Sequence, residues 1–102
     1  MDLEAFYRNG FSVYTDAPQH VTMQFQNRHL DAVVARFGTE KAKYAKSGDD
    51  RFTVGVDAEI CYSLYNWLLT FGTEAKILKP VWAEKAFLKH IDDIKNSYTT
   101  KP

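Results

Sequence analysis

An α+β domain is predicted from three features of the chain: a strictly alternating run at His20–Gln26, apolar residues at helical spacing in three later segments, and glycine or proline punctuating the elements. Alternation of period two marks a strand with one buried face, and recurrence at i, i+3, i+4 and i+7 marks an amphipathic helix. Both periods occur within 102 residues, which is the size of one domain.

The elements follow in order. In His20-Val-Thr-Met-Gln-Phe-Gln26, Val21, Met23 and Phe25 face one way, so this is a half-buried strand. Asn27 is a candidate cap for a first helix, whose stripe is Leu30, Val33, Val34 and Phe37 and whose stop is Gly38. Lys41–Lys46 and Arg51–Val56 flank Ser47-Gly-Asp-Asp50 and read as a hairpin with a four-residue loop, Phe52, Val54 and Val56 sharing a face. Asp57 is a candidate cap for a second helix running to Phe71 and closed by Gly72, with Ile60, Leu64, Trp67, Leu68 and Phe71 as its apolar stripe. Ala75–Leu78 is a short strand. Pro80 suits the first turn of a third helix because its missing N–H has no partner there in any case. Ala83, Phe87, Ile91, Ile94 and Tyr98 mark that helix's inner side, and Thr99–Pro102 are expected to fray.

From His20 the order is therefore β-α-β-β-α-β followed by a helix. Two strand–helix–strand units around a hairpin make the ferredoxin-like arrangement, with both crossover helices on one face of a four-stranded antiparallel sheet. The additional C-terminal helix then covers an edge, the open face or a neighbour. Residues 1–19 read as an N-terminal arm or linker from a missing upstream domain, and residues 20–102 as the domain itself. Leu3, Phe6 and Tyr7 share one side of two helical turns ended by Gly10, and Phe11, Val13 and Tyr14 then alternate before a turn at Asp16–Pro18. Phe6, Tyr7 and Phe11 are the candidate interdomain contacts; an arm folded back on its own core is the other reading.

Composition bounds the function. Thirteen basic and thirteen acidic side chains cancel, so the chain has no global excess for non-specific nucleic-acid binding. One cysteine, Cys61, excludes an internal disulfide and fits a reducing compartment, so a cytoplasmic protein is expected. The N-terminus has no secretory pattern, and no stretch approaches the roughly 20 apolar residues that span a bilayer.

Catalytic chemistry finds no foothold in the spacing. His20, His29 and His90 fall on separate elements without ligand-type partners at i+4, so neither a metal nor another cofactor is expected. Cys61 lacks a CxxC neighbour and reads as a small apolar filler in the first turn of the second helix. The glycines are isolated, Ser63 and Ser97 lack a nucleophile elbow, and Asp92 and Asp93 point apart on a helix. The open sheet face would carry His20, Thr22, Gln24, Gln26, Arg51, Thr53, Gly55 and Asp57, which offers bases no aromatic platform. An enzyme is not expected.

The second helix carries a further apolar line, Tyr62, Tyr65 and Leu69, with Trp82 at the start of the third helix as a candidate neighbour. A helix apolar on two sides is buried on two sides. Either the third helix covers this line within the chain, or Tyr62, Tyr65, Leu69 and Trp82 form an interface or effector surface.

Trp67-Leu-Leu-Thr-Phe-Gly72, then Ala75-Lys-Ile-Leu-Lys-Pro80, then an amphipathic terminal helix, resembles the closing signature of bacterial WYL-domain transcription regulators. Asp2-Leu-Glu-Ala-Phe-Tyr7, Gly10-Phe11 and the strand from His20 also look like the join between the WYL domain and its C-terminal extension, so the resemblance spans nearly the whole chain. It implies a ferredoxin-like module that follows winged-helix and WYL domains in one polypeptide and is associated with effector sensing and dimer assembly. The family commonly reads Pro-x-x-Leu-Arg after the strand. Here Ala83 and Glu84 stand at those places, and the reversed charge argues against an anionic effector at that point.

The expected function is thus a non-catalytic regulatory module for effector sensing, dimerisation or both, without direct DNA binding. No basic recognition helix is present in the sequence. The alternative is an independent small-molecule-binding α+β sensor domain, which a strict monomer in solution would favour.

Overall fold

The computed structural model describes residues 18–99. The expectations for Phe6, Tyr7, Phe11 and the arm as far as residue 17 lie outside the described residues, as does the fraying expected at residues 100–102; Gln19, read as the end of the arm, already pairs with Ala58 in the sheet, and Thr99 still belongs to the last helix. Strand β1 (Gln19–Gln26) leads through a 3-10 turn at Asn27–His29 into α1 (Leu30–Phe37). The hairpin β2 (Lys43–Lys46) and β3 (Arg51–Ala58) follows, then α2 (Tyr62–Leu69), a 3-10 turn at Gly72–Glu74, β4 (Ala75–Lys79) and α3 (Val81–Thr99).

The four strands form one antiparallel sheet in the order β2-β3-β1-β4. In the central pair Val21 faces Val56, Met23 faces Val54 and Phe25 faces Phe52, so one alternation matches the other residue for residue. All six are buried, because a register that slipped by one place would turn every one of them to solvent. Ala75 and Ile77 continue this inner face on β4. Val33 of α1, Leu64, Tyr65 and Leu68 of α2, and Ala83 and Phe87 of α3 share the same core. Phe25 is its aromatic centre, stacked on Phe52 and meeting Trp67 and Phe71 edge-on with centroids 5.8 and 5.3 Å away.

The opposite face is polar. His20 opposes Asp57, Thr22 opposes Gly55 and Gln24 opposes Thr53. His20 Nδ1 lies 3.2 Å from Asp57 Oδ1, and Gln24 Nε2 donates to Ser47 Oγ at 2.8 Å.

The hairpin has the expected four-residue loop, closed by Ser47 N donating to Arg51 O, with Gly48 at φ 81° where a side chain would be strained. Pro80 also sits where expected: its carbonyl accepts from the amides of Ala83 and Glu84 and opens α3.

Several boundaries differ from the sequence reading. Asn27 does not cap α1; its amide donates to Asp49 O and its backbone N–H to Asp50 O, tying the end of β1 to the hairpin loop. Asp57 does not cap α2, because β3 runs on to Ala58 and Asp57 pairs with His20 across the open face. Cys61 is therefore the residue preceding the helix rather than part of its first turn, and it makes no side-chain cap. Ile60 is fully buried as expected, but from the link before α2. Leu30 stands exposed on α1. On α3 only the first half of the inner stripe is covered: Ala83 and Phe87 are buried and Ile91 is half-buried, whereas Ile94 is 38% and Tyr98 83% exposed. The reason is length. Nineteen residues span about 28 Å at 1.5 Å per residue, while the five-residue β4 that α3 packs against extends only about 17 Å.

Candidate functional site

The residues singled out on α2 and α3 meet at the seam between those helices. Tyr65 is 1% exposed, with Phe87 and His90 of α3 each at a centroid distance of 5.7 Å. It is thus a core residue beneath α3 and not part of a surface, which corrects the expectation for that position. Tyr62, one turn earlier, is 54% exposed and stacks on His90 at 5.1 Å with an interplanar angle of 22°. Leu69 is half-buried against the core. Tyr62 meeting His90 and Tyr65 meeting Phe87 runs α2 and α3 antiparallel, so Trp82, exposed at the start of α3, lies at the far end of the seam from Tyr62. The fold therefore divides the four residues between the two ends and the interior of one helix pair.

His90 is the seam residue that sequence reasoning missed. Its Nε2 lies 2.8 Å from Asn66 Oδ1, an atom that only accepts, so that nitrogen carries the hydrogen. Beside it a cavity of about 110 Å³ is lined by Tyr62, Tyr65, Ala86, Lys89, His90 and Asp93. Lys89 and Asp93 pair across one helical turn at 3.1 Å. The available signal was the spacing of His90 three residues after Phe87, which places both on one side of α3.

A polar cluster elsewhere in the described residues was not anticipated. Glu74 accepts from Arg28 Nε on Oε1 at 3.0 Å and from Arg28 Nη2 on Oε2 at 2.6 Å, and His29 Nε2 lies 2.7 Å from the same Oε1. The hydrogen bond from Arg28 first, then that from His29, holds the Glu74 carboxyl below the usual carboxylate range. Arg28 is pushed up in turn by the same bond. Phe71 packs edge-on to His29 at 4.8 Å. This clamp joins the turn after β1 to the turn before β4 and so fixes how those two strands leave the sheet. No group of three or more His, Cys, Asp or Glu side chains positioned for a metal occurs among the described residues. No described helix is long and apolar enough to cross a membrane.

The described chain is a compact α+β unit with a four-stranded antiparallel sheet and a long terminal helix, and its Trp67–Gly72 segment sets Trp67 and Phe71 against Phe25. The WCX domain model matches residues 17–94, from just before β1 to the point where α3 leaves the core. The chain belongs to the WCX family. The WYL-type regulator, in which this domain is the C-terminal extension, is the known setting of that family. No curated protein matches the chain. Within the WCX domain, Trp67 and Phe71 of the signature pack on each other at 5.0 Å and on Phe25, so these aromatics are structural. Pro80 of the same signature starts α3.

Proposed function

We propose that this WCX domain is a non-catalytic regulatory module of a WYL-type transcription regulator, and that it contributes by joining two copies through α3. The carrying observation is the α3 stripe. Phe87, Ile91, Ile94 and Tyr98 recur at four, three and four residues, the spacing of a helix–helix seam, yet Ile94 and Tyr98 extend past the core and Leu88 beside them is 53% exposed. An apolar line that starts inside one domain and continues outside it suits a second helix of the same kind. Trp82, exposed at the start of α3, and Tyr62, exposed where it stacks on His90, are candidate periphery.

Further features belong to the same proposed reading. The order β2-β3-β1-β4, with helices contributing to one core, supports the ferredoxin-like arrangement. Winged-helix and WYL domains would precede the module in the same cytoplasmic polypeptide and supply DNA contact, which this domain would lack.

Sedimentation velocity of the 102-residue chain tests the assembly. A concentration-dependent dimer that Ile94→Asp and Tyr98→Asp convert to a folded monomer is expected. A monomer at all concentrations up to about 200 µM, where interfaces weaker than about −5 kcal/mol go unfilled, would refute it. Tyr65→Asp is unsuitable as a probe, because it places a charge inside the core.

A further inference from the structure

All three helices pack on the inner face of the sheet, so among the described elements none covers the outer face. Two cross-strand rows define the middle of that face. Lys43, Gly55, Thr22 and Lys79 stand side by side on β2, β3, β1 and β4, and Ala45, Thr53, Gln24 and Lys76 form the next row. The register shift between Thr22 and Met23 sets Lys79 opposite Thr22 and so on this side. Long cationic side chains thus border both edges, three strand spacings or about 14 Å apart. The floor between them is low and carries no fixed charge. Thr22, Thr53 and Gln24 are half-buried, and Gln24 is drawn towards the hairpin by its bond to Ser47. The His20 ring lies over Gly55, where a Cβ would stand 3.1 Å from Nε2.

Charge is unevenly placed around this trough. Lys43, Lys76, Lys79 and, opposite Gln26, Arg51 are exposed, and among the described residues none of them is ion-paired. The described strands set one carboxylate on the face, Asp57, which stands at one end and is bound to His20. Asp49 and Asp50 are in the hairpin loop at the other end. A chain whose charges cancel overall therefore presents a cationic face.

We propose that this trough docks an acidic α-helix of a partner protein, lying along β1 and β3 with carboxylates from its two flanks on Lys43 and on Lys76 and Lys79. A helix with its side chains is about 10–12 Å across, which fits between the edges and lets its two flanks meet both at once. A nucleic-acid strand is served instead by a continuous cationic track with aromatic rings for its bases. Here the cations stand on separate edges, and no Phe, Tyr or Trp lies between them. The polar floor leaves the attraction mainly electrostatic, hence sensitive to salt. The trough is on the face away from α3 and does not depend on the pairing of two copies.

The test titrates the ¹⁵N-labelled 102-residue chain with an Ala-rich peptide of about 20 residues that carries glutamates on two flanks, its helicity checked by circular dichroism. Its Gln-for-Glu counterpart, a proline-interrupted version of equal charge and an oligothymidylate of about 15 nucleotides are the comparisons. The Glu helix is expected to shift the amides of Thr22, Thr53 and Gly55 saturably, at least about tenfold tighter than the Gln peptide, and to weaken about tenfold between about 20 and 200 mM salt. Lys43→Glu combined with Lys79→Glu should weaken it about tenfold or more, with the buried Val21, Met23 and Val54 amides unmoved as the check on folding. The milder Lys76→Gln should weaken it about threefold. Equal binding of the Glu helix and either comparison peptide, tighter binding of the oligothymidylate on this face, or undiminished affinity in either variant would overturn the proposal. So would concentration-dependent shifts of this face in the free chain, which would make a second copy the occupant, or no saturable shift at all.

Discussion

The α3 stripe makes a graded prediction. Truncation to alanine at Phe87, Ile91, Ile94 and Tyr98 removes the same kind of apolar seam residue at four depths. Phe87 is 6% exposed and meets Tyr65, so its loss should cost about 3–4 kcal/mol, the range for an aromatic taken from a core. Half-buried Ile91 should cost about 2 kcal/mol, and Ile94, with 38% of its surface already in water, about 1 kcal/mol. Tyr98, 83% exposed, should stay within about 0.5 kcal/mol when the chain is monomeric. Urea unfolding followed by circular dichroism, run at two protein concentrations about twentyfold apart, reads all four. If two copies meet along α3, raising the concentration stabilises the dimeric parent by about 0.9 kcal/mol per chain, half of RT ln 20 because two chains unfold together, and Ile94→Ala and Tyr98→Ala lose most of that gain. A Tyr98→Ala cost as large as that of Phe87→Ala at both concentrations would refute the reasoning, since Tyr98 would then be buried against its own domain.

Other perturbations are equally direct. Because Glu74 titrates below the ordinary carboxylate value of 4.5, the stability its clamp supplies is complete above that value and is lost as pH falls through the depressed one; melting curves of the parent and Glu74→Gln from about pH 7 to about pH 3 should converge only at the acid end, and a gap undiminished there would contradict this. Cys61 precedes α2 with extended φ and ψ of −150° and −179° but gives no side-chain cap, so Cys61→Ser should stabilise the domain by about 0.5–1 kcal/mol, read as a raised urea midpoint with unchanged slope. A Cβ on Gly55 would stand 3.1 Å from His20 Nε2, the far end of an exposed side chain that can rotate away; Gly55→Thr should therefore release His20 from Asp57 and still gain about 0.5 kcal/mol from strand propensity, which His20 ring shifts in NMR and a urea midpoint would check.

Much of the domain was legible because backbone geometry is local. Successive side chains on a strand point to opposite faces, so Val21, Met23 and Phe25 declared their burial and His20, Thr22 and Gln24 their exposure without any knowledge of neighbours. The hairpin loop at Ser47–Asp50 and the start of α3 after Pro80 were legible for the same reason, since turn and helix-start chemistry act over a few residues. The family signature was legible too, because Trp67, Phe71 and Gly72 are contiguous.

What only the tertiary structure decided are matters of docking. A helix with two apolar sides does not specify which side a later element covers; α3 lies over Tyr65 and stacks His90 on Tyr62, burying the first and leaving the second half in water. Asn27 is drawn from a cap to the hairpin loop, and Arg28 and His29 to Glu74 some 45 residues away, by contacts that no local window contains. The periodicity of α3 runs unbroken to Tyr98, but burial stops near Ile91, because the extent of a helix is set along its own chain and the extent of its cover by the strands beneath it. Sequence alone determined which faces are apolar; only the packed arrangement determined which of those faces are closed.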